Sequence, residues 1–83
     1  MGMYFITFRS VTPAQRGQRI LQQAGINCGL LRTPRWMEER GCGYCLRLRS
    51  EDGSRAVGLL RQNQLSFSKI YADTERGVEE LQL

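Results

Sequence analysis

Tyr44-Cys45-Leu46-Arg47-Leu48-Arg49, followed at once by Ser50-Glu51-Asp52, is the stretch on which the fold turns. Tyr44, Leu46 and Leu48 alternate with Cys45, Arg47 and Arg49. Successive side chains of a strand point to opposite faces, so the run reads as a half-buried strand with its second face open. Ser50 then reads as the cap of a helix, with Glu51 and Asp52 in a first turn where the dipole favours acids. Ala56, Val57, Leu59 and Leu60 form the apolar side of that helix, and Asn63 closes it.

Upstream, Tyr4 to Phe8 is aromatic and β-branched and reads as a first strand, with Tyr4, Ile6 and Phe8 on one face. Thr12 and Pro13 then mark a helix start as N-cap and first helical residue. Ala14, Gly17, Leu21 and Ala24 recur at helical spacing, with Ile20 beside them, and Gly25 ends the helix. The small residues let this helix lie close to a sheet. Ile26 to Arg32 reads as a second strand, and Thr33 to Gly41 as a long loop of the kind that often carries function. Downstream, Phe67 to Tyr71 reads as a fourth strand. Thr74 reads as the cap of a tail helix reaching Leu83, with Val78 and Leu81 on one side, so that residues 73–83 form a C-terminal helical tail.

The order β-α-β-β-α-β predicts an α+β, ferredoxin-like split βαβ sandwich: a four-stranded antiparallel sheet, two helices on one face and a short C-terminal helix. The chain has 83 residues and reads as one domain spanning 1–83. Hydrophobic content of 41% and charged content of 24% are those of a globular chain. No apolar run reaches the ~18 residues of a membrane span, so no membrane partner is expected. The start reads as a strand and not as a signal peptide, which points to the cytoplasm. There thiols stay reduced.

The net charge of +4 is unevenly spread. Residues 1–49 carry +6 and residues 50–83 carry −2, and eleven of the twelve cations are arginine. Arginine presents a planar fork suited to carboxylate and phosphate. The bland alternative is a solvated basic face. The chain has no histidine, which excludes His-assisted nucleophiles, Ser-His triads and His metal ligands.

Chemistry is then left to cysteine. Cys42-Gly43-Tyr44-Cys45 enters the third strand, and Gly41 and Gly43 flank Cys42. Arg32, Arg35 and Arg40 lie just upstream, and nearby cations favour thiolate over thiol. In the predicted topology strands one and three are antiparallel neighbours, which sets Cys42 beside Arg9 and Ser10 at the N-terminus of the first helix. Free N–H groups and the positive dipole end gather there. Cys42 is the candidate nucleophile, with Arg9, Arg35, Arg40, Gly41 and Gly43 around it. Cys45 reads either as a resolving thiol or as a small side chain on the sheet's open face. Cys28 reads as a small buried hydrophobe. One Cys-x-x-Cys pair gives half of a zinc site. No metal and no cofactor is expected, although two chains of a homodimer could supply four ligands. Trp36 and Met37 read as a docking patch or as a lid on the sheet edge.

Ile6-Thr7-Phe8-Arg9-Ser10, Leu31-Arg32-Thr33-Pro34-Arg35 and Gly41-Cys42-Gly43 before an apolar strand resemble a family of small bacterial proteins, the selenium/sulfur (Se/S) carrier-like proteins. The resemblance spans nearly the whole chain. It implies that Cys42 holds sulfur or selenium as a persulfide or its selenium counterpart. It further implies a donor of the cysteine desulfurase kind, an acceptor enzyme, and a carrier rather than a turnover enzyme. The chain departs from the family pattern at Glu38-Glu39-Arg40-Gly41, where a serine-like run is usual, and at Cys45, where a small apolar residue is typical. A reading from another class is a non-catalytic binding module whose basic face holds nucleic acid or an acidic protein. The aromatic pattern of RNA-recognition strands is missing from the sequence, so nucleic acid ranks low among the expected partners.

Overall fold

In the computed structural model, which describes residues 2–34 and 43–81, the chain runs β1 (Met3–Phe8), α1 (Val11–Gln23), β2 (Cys28–Arg32) and β3 (Tyr44–Arg49). A 3₁₀ turn (Ser50–Asp52), α2 (Gly53–Gln62), β4 (Ile70–Thr74) and β5 (Gly77–Leu81) follow. The fold is α+β: two helices and a five-stranded sheet in the order β2-β3-β1-β4-β5. Every pairing is antiparallel. The expected central neighbours, β1 and β3, pair along their whole length, from Met3 opposite Arg49 to Phe8 opposite Tyr44.

The period-2 reading of β1 and β3 explains the core. Tyr4, Ile6 and Phe8 of β1 and Tyr44, Leu46 and Leu48 of β3 all join one apolar cluster with Ala14 and Leu21 of α1 and Ala56, Val57 and Leu60 of α2. Both helices therefore cover the same face. Fully burying a side chain such as Phe8 or Leu46 contributes about 1.5–3 kcal/mol. Gly17 is where α1 comes closest: a Cβ there would lie 3.1 Å from the Phe8 ring and 3.2 Å from Leu46 and from Leu65. Gly25, at φ 82, ends α1 in the left-handed conformation that glycine adopts without penalty.

The C-terminal helix does not form. Residues expected to be helical make β5, which pairs with β4 from Ile70 opposite Leu81 to Thr74 opposite Gly77. The reason is local and tertiary at once. Thr74 does not cap a helix; its hydroxyl donates to the Gly77 carbonyl at 2.9 Å and accepts from the Arg76 N–H at 3.2 Å. Gly77 takes φ 106, which closes a hairpin and starts no helix. Leu81 then packs on the core, and β5 pairs the edge of β4 that would otherwise be open.

Smaller shifts have similar causes. α1 begins two residues early, with Ser10 as its extended N-cap in place of Thr12. Ser50 opens the 3₁₀ turn, and Asp52 is the N-cap of α2. β2 starts at Cys28 instead of Ile26, because Ile26 is held in the helix end by its N–H to the Leu21 carbonyl at 2.9 Å. β4 starts at Ile70, three residues after Phe67.

Candidate functional site

Of the residues the sequence singles out, Cys42, Arg35, Arg40, Gly41, Trp36 and Met37 lie outside the described residues. Arg9, Gly43 and Cys45 are described. The Phe8–Tyr44 pair is the last of the β1–β3 ladder. One step on in that register Gly43 comes level with Arg9, and Cys42 is its neighbour in the chain. Gly43 is buried, and its carbonyl accepts the Thr33 N–H at 3.0 Å. That bond extends the β2–β3 ladder, in which Arg32 faces Tyr44, by one pair. The connection between the strands therefore leaves and rejoins the sheet at a closed backbone pair, beside the end of β1.

The end of β1 runs directly into α1. Arg9 and Ser10 are exposed, the Ser10 side chain makes no capping hydrogen bond, and the first turn carries no acidic residue. The positive end of this helix is thus not neutralised by its own side chains. Arg9 immediately precedes the N-cap residue Ser10.

Cys45 behaves differently from a surface thiol. It lies on the sheet face away from the helices, between Thr7 of β1 and Leu31 of β2, yet it is wholly buried. Thr7 is buried too; its hydroxyl accepts the Lys69 N–H at 3.0 Å and donates to the Lys69 carbonyl at 3.3 Å. Burial pushes the Cys45 thiol above its ordinary range. The nearby Thr33 hydroxyl acts the other way and more weakly. That hydroxyl is buried and has no hydrogen-bond partner among the described residues, so the contact falls short of a formed bond and desolvation wins. Cys45 is a free, protonated thiol at neutral pH. Cys45 thus stands on the sheet face that the helices leave open, and it is buried there.

Cys28 is half-buried and packs against the core; its thiol donates to the Gln18 carbonyl at 3.8 Å, and burial raises its pKa. Among the described residues no three Cys, Asp or Glu side chains gather as a metal site. None of the described helices is long and apolar enough to cross a membrane.

Two features escaped the sequence reading. The buried Thr33 hydroxyl beside Cys45 had one available signal, its position one step beyond a strand predicted to end at Arg32. The pairing of Phe5 with Tyr71 on the face away from the helices had a weaker one. Phe5 stands out of phase in a run whose residues are nearly all apolar, so alternation did not separate the faces.

The sequence matches the model of the family described as "Putative Se/S carrier protein-like" over residues 3–72. That span runs from β1 into β4 and includes Cys42. No curated protein and no solved structure matches the chain.

Proposed function

The chain belongs to the Se/S carrier-like family, and from that premise we propose that it is a cytoplasmic carrier on which Cys42 holds sulfur or selenium for transfer to an acceptor enzyme. The observation that carries the reading is the β1–β3 register. It brings the residue next to Cys42 level with Arg9, beside the uncapped N-terminus of α1. An anionic thiolate or persulfide is favoured at such a helix end. Arg35, Arg40 and Gly41 belong to the same proposal as groups that stabilise the anion.

The chemistry is thiol exchange. The Cys42 thiolate attacks the outer sulfur of a donor cysteine persulfide. The donor S–S bond breaks, its cysteine leaves as thiolate, and the transferred sulfur keeps its proton as Cys42–S–SH. Attack by an acceptor thiolate reverses the sequence. Cys45, buried and protonated, is not the first acceptor. Once the start of β3 opens and the Cys45 thiol loses its proton to solvent, its thiolate can attack the Cys42 sulfur of the persulfide, forming a Cys42–Cys45 disulfide and releasing hydrosulfide.

The test is intact mass after incubation with a cysteine desulfurase and cysteine. One added sulfur atom, removed by dithiothreitol and absent in Cys42→Ala but kept in Cys45→Ala, is the expected result. A sulfur adduct that persists in Cys42→Ala, or no adduct on the wild-type chain, would sink the proposal.

A further inference from the structure

The sheet face away from the helices carries a row of side chains that lie outside the helix-covered core. Phe5 at the centre pairs with Arg47 of β3 on one side and Tyr71 of β4 on the other. Gly29 of β2 stands opposite Arg47, and Glu80 of β5 opposite Tyr71. Directly opposed residues hold their Cβ atoms about 4.5–5.5 Å apart, so Tyr71, Phe5 and Arg47 occupy adjacent positions in one row across the middle of the sheet. Phe5 and Tyr71 do not belong to the helix-covered core. Both keep part of their surface exposed, Arg47 is exposed, and the space above Gly29 is open. Arg49 lies two residues along β3 on the same face. Its ion pair with Glu51 is 3.4 Å long with both side chains 71% exposed, too weak to hold the guanidinium from another anion.

Adjacent aromatics on central strands, flanked by arginines, match the chemistry of an unstacked base and its phosphate. We propose that this face binds single-stranded nucleic acid, with Phe5 and Tyr71 stacking bases and Arg47 and Arg49 taking phosphates. The charge pattern sets the path. The β3 side of the row is basic, whereas the β5 side carries Glu80, which is paired with Lys69 at 3.8 Å. The backbone of the ligand therefore follows β3. An acidic peptide would satisfy the arginines and leave the two rings without a role, so nucleic acid is the better fit. The low rank of nucleic acid among the expected partners rested on an absent linear motif. The two rings come from distant parts of the chain and meet only through the β1–β4 pairing. The proposal is independent of Cys42.

The test is fluorescence anisotropy of the full chain with labelled oligouridylate and oligothymidylate of about a dozen nucleotides, and with a duplex of the same length. Single strands should bind more tightly than duplex. Phe5→Leu and Tyr71→Leu keep apolar volume and remove the stacking face, and each should weaken binding about fivefold to a hundredfold. Arg47→Gln should weaken it uniformly and lower the salt slope by about one. Tighter binding to oligouridylate than to oligodeoxyuridylate of the same length would add the ribose hydroxyl to the recognition, and equal binding would support base and phosphate as the whole of it. Circular dichroism melts confirm that each variant is folded. No binding at low salt would overturn the proposal. So would duplex binding as tight as single-strand binding, or affinity that folded Phe5→Leu and Tyr71→Leu leave unchanged.

Discussion

Cys45 and Thr33 share a buried corner in which one thiol and one hydroxyl face each other without a formed bond. A buried hydroxyl without a partner costs about 1–3 kcal/mol, and an isosteric apolar group removes that penalty. Thr33→Val should therefore raise stability by about 1 kcal/mol in urea unfolding. It should also slow alkylation of Cys45, because the hydroxyl's downward pull on the thiol is lost. A clear loss of stability in Thr33→Val would mean that the hydroxyl is partnered in solution. The raised pKa of Cys45 has a pH consequence of definite sign. Below its ordinary value of 9.0 the thiol is protonated in both states, and its contribution to stability is fully present. Above that value the unfolded chain ionises first, so this contribution falls as pH rises through the higher folded pKa. Cys28 shifts in the same direction. Cys45→Ala should thus flatten the alkaline decline of stability only in part, as read from urea midpoints over a pH series. An unaltered slope would remove Cys45 as a source of the decline.

The helices carry glycines of opposite meaning. A Cβ on Gly53 would run into the Tyr4 ring, and the first turn of α2 sits where it does because that atom is missing. A Cβ on Gly58, inside α2, would meet nothing. Gly53→Ala should cost about 1–3 kcal/mol through overpacking. Gly58→Ala should gain about 0.5–1 kcal/mol through backbone entropy. Thermal melts of the two variants decide it, and a shift of the same sign in both would contradict this packing of Tyr4. Gly77, at φ 106, is constrained by its backbone instead, and any side chain there strains the hairpin that makes β5.

For the whole molecule, β5 decides how one side of the sheet is closed. The sheet ends at β2 on one side and at β5 on the other. Deleting residues 74–83 exposes Ile70, Tyr71 and Ala72 as an unpaired edge and strips Leu81 from the core. The shortened chain should melt at lower temperature and associate through the bare edge of β4, with size-exclusion chromatography as the measure. A monomer as stable as the full chain would show that β5 contributes little.

The residues alone determined the β-α-β-β-α-β order, the two faces of the third strand and the buried face of the first helix, because the periods of Tyr44–Arg49 and of Ala14 to Leu21 admit one reading each. They also marked Cys42, because a chain without histidine leaves few other nucleophiles and its glycine and arginine neighbours are visible as neighbours. The tail was not legible. Val78 and Leu81 fit a helical spacing as well as a strand, and only the open edge of β4 and the turn at Gly77 choose between them. Nor was the burial of Cys45 or the meeting of Phe5 with Tyr71, since both arise from register between strands far apart in sequence. A pattern within one strand says which side chains share its face. It does not say which side chains of other strands stand opposite, and that is set by the paired backbone hydrogen bonds of the folded sheet.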